Sequence, residues 1–181
     1  WTRTNIRFDQ MSKEFAQIGC AWAPETVYDP ATGRMMIYFT MRFGNEQNRL
    51  YYVYVNQDFN RIESIPQILF EYPSGASAID GDITPIWNEE RQKMEYHLFY
   101  VAHESGSGIK QAVSDRIDGG YRFDPRWIDF EPVACEAPNV WKRIGEDKWV
   151  LMYDIFGINP HNFGFVETSD FVHFKNLGRF N

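Results

Sequence analysis

The feature that most constrains this chain is a repeat of about 57 residues. Three segments read alike. In the first, Trp22-Ala23-Pro24-Glu25-Thr26-Val27-Tyr28 runs into the turn Asp29-Pro30-Ala31-Thr32-Gly33 and then Met35-Met36-Ile37-Tyr38-Phe39. In the second, Asp80-Gly81-Asp82-Ile83-Thr84-Pro85-Ile86-Trp87 precedes a polar turn and Tyr96-His97-Leu98-Phe99-Tyr100-Val101. In the third, Glu136-Ala137-Pro138-Asn139-Val140-Trp141 precedes Gly145-Glu146-Asp147 and Trp149-Val150-Leu151-Met152-Tyr153. A second motif recurs as Asn56-Gln57-Asp58-Phe59, Val113-Ser114-Asp115-Arg116 and Thr168-Ser169-Asp170-Phe171. Asp58 to Asp115 is 57 positions, Asp115 to Asp170 is 55, and Pro24 to Pro138 is twice 57. Two independent sets of anchors therefore agree on one period.

Each unit reads as a polar-tipped strand, a turn, an aromatic strand and further strand, bounded by Gly, Pro, Asp and Asn. Several strands in some 57 residues is the size of a propeller blade. The approximate repeats are 20–76, 77–133 and 134–181, so 181 residues make about three. Propellers close with ~4–8 blades, and three alone leave open sheet edges. The expectation is an all-β chain forming about three blades of a larger β-propeller. A smaller β-sandwich with fortuitous repeats is the competing architecture. The one short helix expected lies over Met11–Ile18.

Composition supports strands. The chain holds 31 aromatic residues against five Leu and ten Ala. Helical bundles draw on Leu and Ala, whereas aromatic residues favour sheets. Disordered chains lack aromatic residues. A net charge of -7 disfavours a nucleic-acid partner, which needs a basic face, but not a neutral ligand such as a sugar. No apolar run approaches the ~18 residues of a membrane span, so no membrane partner is expected. No leader pattern is visible, and because the chain starts at Trp1 this carries no information. Cys20 and Cys135 form no CxxC motif; buried free thiols are the ordinary reading, with a disulfide or a metal site as alternatives.

In a propeller the first strand of each unit lines the axis, which makes Trp22, Glu25, Asp80, Asp82 and Glu136 the candidates for chemistry. Carboxylates converging there suit glycoside hydrolysis, in which one acid protonates the leaving oxygen and another activates water or attacks the sugar. Asp80 and Asp82, two apart, share one side of a strand and raise one another's pKa; a hairpin turn is the plain alternative. Glu136, beside Cys135 and Ala137-Pro138, has an apolar setting that favours its protonated form, unless it is an ordinary surface Glu. Asp154, after the third aromatic strand, is a pocket candidate or a turn cap. His97, His103, His161 and His173 show no HxH or HExxH spacing and read as structural, so no metal site is assigned. His103 follows the second aromatic strand and is within reach of the pocket. No G-x-S-x-G elbow, Walker loop or dinucleotide fingerprint occurs.

The ordered series Trp22-Ala23-Pro24-Glu25, Ala78-Ile79-Asp80 and Glu136-Ala137-Pro138 resembles glycoside hydrolase family 43. Ser114-Asp115 and Ser169-Asp170-Phe171-Val172-His173-Phe174 are similar to that family's outer-strand endings. The resemblance covers essentially the whole chain. It implies a five-bladed propeller, secreted or periplasmic, that cleaves arabinose- or xylose-containing oligo- or polysaccharides with inversion. By this resemblance Glu136 is the general acid and Asp80 the Asp that tunes its pKa, with Asp82 as the fallback for that role. Trp22 matches the Trp of the family's Trp-Ala-Pro motif and would stack on a sugar, with Asp154 as a second substrate contact. No residue matches the family's general base, which would lie one blade before Trp22; Asp9 is too close to fill that place. The blade that supplies a His near a channel metal is also unmatched. No cofactor is required, calcium in the channel of the complete propeller is an option, and a homo-oligomer would cover open blade edges. A non-catalytic carbohydrate-binding propeller and a related fructan-cleaving propeller hydrolase are the alternative functions.

Overall fold

The computed structural model describes residue 5 and residues 7–180. Among the described residues twelve strands form three separate four-stranded antiparallel sheets, each a simple meander in sequence order. The first contains β1 (Ile18–Asp29), β2 (Arg34–Phe43), β3 (Arg49–Val55) and β4 (Gln67–Phe70). The second contains β5 (Ala78–Asn88), β6 (Lys93–Ala102), β7 (Gly108–Ser114) and β8 (Arg122–Asp124). The third contains β9 (Glu136–Lys142), β10 (Trp149–Ile155), β11 (Asn162–Thr168) and β12 (Lys175–Phe180). The architecture is the expected one: all-β blades of a propeller.

Alternation along the central strands decides how the sheets stack. In β2, Met36 and Tyr38 turn toward the second sheet and meet Ile83, Leu98 and Tyr100. In β6, Phe99 and Val101 turn the other way and meet Leu151, Tyr153 and Ile155 of β10. Each central strand thus buries both faces, which is why β6 reads as a continuous apolar run rather than an alternating one. β5 lies against both β1 and β9, so the three first strands stand side by side in chain order.

The expected helix over Met11–Ile18 does not form. Two 3₁₀ turns, Phe8–Gln10 and Phe15–Gln17, occupy this region, and Ile18 opens β1. A helix of that length cannot offset its nucleation cost. Its apolar residues are used otherwise: Phe8, Met11 and Phe15 pack on Phe39, Met41, Tyr51 and Val53, over the far face of the first sheet.

The two thiols are free, Cys135 buried and Cys20 half-buried. Burial pushes the Cys135 thiol up to about 12, with Asp129 and Glu131 adding to it. It packs as a small apolar side chain.

Candidate active site

Each first strand carries an irregularity at the same place. Pairing of β1 with β2 slips between Trp22 and Glu25, that of β5 with β6 between Ile79 and Asp82, and that of β9 with β10 between Asp154 and Met152. At each slip one non-glycine residue adopts a left-handed backbone: Ala23 (φ 47°), Asp80 (φ 53°) and Ala137 (φ 51°). These three positions are 57 apart. An extra residue in one strand re-aims side chains and releases amides from the ladder. A side-chain-bearing residue with positive φ is uncommon, and Asp tolerates it better than most.

The second bulge brings the acids together. The Asp80 carboxylate accepts the Ala137 N–H at 3.3 Å, across the junction between the second and third sheets. That amide belongs to the peptide unit immediately after Glu136. Asp154 stands opposite Glu136 in the β9–β10 register. The Glu136 carboxyl is raised above the usual glutamate range, first by burial and then by the charges of Asp80 and Asp154, against a smaller opposing effect of His161. Asp80 is raised by burial, an effect reduced by the Ala137 hydrogen bond and by His103. Glu136, Asp80 and Asp154 are half-buried, whereas His103 and His161 are exposed.

Asp82 lies apart from this group. It is only 8 % exposed and accepts a short hydrogen bond from the Val140 N–H. Burial is the main reason its carboxyl is pushed up to about 7; the bond to Val140 opposes this, and Glu25 adds to it. Gly81, between the two acids, is needed for close approach: a Cβ there would stand 2.8 Å from Leu50 Cδ1 of the first sheet.

Trp22 is placed at the first bulge, 43 % exposed, with the Arg42 guanidinium 6.0 Å from its ring centre. It lines an apolar hollow of about 210 Å³ with Phe8, Pro24, Phe39, Val53 and Ile62, on the far face of the first sheet. The exposed Glu25 shares β1 with it.

His161, which the sequence reads as structural, follows the Asn159-Pro160 bond and lowers the Glu136 carboxyl slightly. The other histidines are dispersed: His97 is buried against the Phe171 ring at 4.3 Å, and His173 bonds Asp170. Among the described residues no three His, Cys, Asp or Glu side chains are grouped to hold a metal ion.

A half-buried glutamate whose carboxyl is raised first by burial and then by two neighbouring carboxylates is the kind of arrangement that glycoside hydrolysis uses for its acid. The sequence agrees: residues 1–180 match the family described as "Probable glycosyl hydrolase domain", related to family 43, and the chain belongs to that family. A comparison with curated proteins returned no match. Among solved structures the chain is similar to a thermostable family-43 glycoside hydrolase, with 14% identity and a TM-score of 0.63 over 87% of this chain and 58% of that one. It is similar to an endo-arabinase from Bacteroides thetaiotaomicron, at 13% identity and TM-score 0.61 over 80% of this chain and 55% of that one. A family 117 glycoside hydrolase from the marine bacterium Zobellia galactanivorans shows 16% identity and TM-score 0.63, over 88% and 55% respectively. The chain thus spans somewhat more than half the length of the structures it matches. At these identities the likeness establishes the fold.

Proposed function

We propose that this chain forms the acid-bearing part of a glycoside hydrolase that cleaves arabinose- or xylose-containing polysaccharides with inversion. The observation that carries this is the pairing of Asp80 with Glu136. Asp80 fixes the peptide unit that follows Glu136 and its charge raises the Glu136 carboxyl.

Glu136 gives its proton to the leaving glycosidic oxygen as the bond to the anomeric carbon breaks. Asp80 keeps Glu136 oriented and favours its protonated form. A water attacks the anomeric carbon from the opposite face, and a carboxylate outside these three sheets takes its proton. Inversion requires some 6.5–9.5 Å between acid and base carboxyls, to leave room for that water. Asp154, facing Glu136, supports protonation and is in place to meet a sugar hydroxyl. Trp22 offers an exposed ring for stacking on a sugar face. A polysaccharide substrate fits a secreted or periplasmic protein.

The test is Glu136→Gln in the intact protein, assayed on arabinosides and xylosides with graded leaving groups. Loss of a general acid costs ~10²–10⁴-fold where the leaving group needs a proton, and little where it is a dinitrophenolate. Equal losses on both would remove Glu136 from the role. A second reading, a non-catalytic carbohydrate-binding propeller, is favoured by one observation: no residue of this sequence matches the general base that the family resemblance calls for. Sugar binding without turnover by the intact protein would establish it. Release of fructose would instead favour a fructan-cleaving propeller.

A further inference from the structure

Two backbone amides of β5 and two of β9 are met by side chains of the preceding sheet. At the first junction the Asp80 N–H donates to Thr40 Oγ1 at 3.1 Å, and the Ile83 N–H donates to the Tyr38 hydroxyl at 3.0 Å. At the second junction the Ala137 N–H donates to Asp80 and the Val140 N–H to Asp82. Ala137 is 57 positions after Asp80, and Val140 is 57 after Ile83. The same two amides of the repeat are therefore clamped at both junctions. The acceptors differ: they come from the second strand, β2, at the first junction and from the first strand, β5, at the second.

From this repetition we infer that Asp82 is a positioning residue, the acceptor that holds β9, and with it Glu136, at its working distance from Asp80. Asp82 stands in the place of Tyr38, whose hydroxyl does the same for β5. Its side of the clamp is buried, with Asp82 8 % exposed. Asp82 and Val140 meet between two packed sheets, and Tyr38 and Glu25 are the titratable groups that act with it. Asp82 is not among the groups that perturb Glu136, so its influence on the acid passes through the strand and not through its charge. Asp80 serves both ways, as clamp on Ala137 and as charge beside Glu136. The pair Asp80-Gly81-Asp82 is thus divided, one acid at the chemistry and one behind it. The inference rests on Glu136 being the acid for its functional meaning, but the clamp is measurable without substrate.

The experiment is amide hydrogen exchange and carboxyl NMR titration of the full chain as wild type, Asp82→Asn and Asp82→Ala. The Asn carbonyl keeps an acceptor for Val140, and the Ala removes it. The expected result is protection of the Val140 amide in wild type and Asp82→Asn, and exchange faster by about tenfold or more in Asp82→Ala, the scale of one lost hydrogen bond. The Glu136 titration is expected to fall toward the ordinary glutamate value in Asp82→Ala and to stay in place in Asp82→Asn. Should Asp82→Ala not fold, Tyr38→Phe tests the same clamp one junction earlier, at the Ile83 amide. Val140 exchange insensitive to Asp82→Ala, or equal Glu136 shifts in both Asp82 variants, would overturn the proposal. Absence of glycosidase activity would instead count against the proposed function and leave these readings intact.

Discussion

At the scale of single residues, burial raises two acids at the junction of the second and third sheets, and their further influences differ. Glu136 is raised by burial and by the charges of Asp80 and Asp154, Asp82 by burial with a smaller addition from Glu25. Replacing Asp80 by Asn removes a negative neighbour from Glu136. The alkaline limb of the pH–rate profile of the intact protein should then move to lower pH, because the acid loses its proton sooner; an unmoved limb would count against the coupling. For Asp82 the sign follows from linkage. Its folded value of about 7 lies above the ordinary 3.8, so between roughly pH 4 and 7 the folded state holds the extra proton. Stability should fall as pH rises through that window, by about 3–5 kcal/mol from this group alone. Asp82→Asn should flatten that slope and melt higher than wild type at pH 8. Denaturant titrations at pH 5 and pH 8 measure both, and parallel slopes in the two proteins would contradict the account.

At the scale of elements, the bulge is the repeated device. It sets Asp80 itself in a left-handed conformation, next to the amides that the preceding sheet grips. Two glycines, Gly81 and Gly164, make the packing possible. Gly164 lies under the Tyr153 ring, where a Cβ would come within 2.2 Å of Cε2. Tyr153 is fully buried between the second and third sheets and cannot step aside. Gly164→Ala should therefore cost about 2–3 kcal/mol or more, the scale of overpacking a tight core, read as a lowered thermal midpoint. A midpoint unchanged within a degree would contradict this packing.

Much of this was legible in the sequence, and the reason is the repeat. The spacing of Asp80 and Glu136 by one unit less a residue put both at the head of a first strand. The turn Asp29-Pro30-Ala31-Thr32-Gly33 falls between β1 and β2 as read. The clamp was not legible. Tyr38 and Thr40 look like ordinary members of an aromatic strand, and only stacking of the sheets shows that their hydroxyls reach Ile83 and Asp80. The segment Met11–Ile18 misleads for a related reason: its apolar spacing suits a helix, but tertiary packing uses those side chains to cover a sheet.

At the scale of the whole molecule, three sheets stacked in sequence leave two outward faces. The first is partly covered by residues Phe8–Phe15. The third is bare and aromatic: Trp141, Phe163 and Phe180 are 40%, 46% and 57% exposed, with Phe165 packed between Trp141 and Phe180. An apolar patch of this kind favours association. The 181-residue chain should self-associate with rising concentration in sedimentation velocity, and Phe163→Ser with Phe180→Ser should weaken that; a monomer at all concentrations would contradict it. The stacking also has a chemical result, since it is the junction of the second and third sheets that brings Asp80 to Glu136. The most direct test of that claim is a carboxyl NMR titration of Glu136 in the wild-type chain and in Asp80→Asn. The account predicts a Glu136 value above that of an ordinary glutamate, falling when the Asp80 charge is removed. An ordinary value in the wild type, unchanged by the substitution, would contradict it.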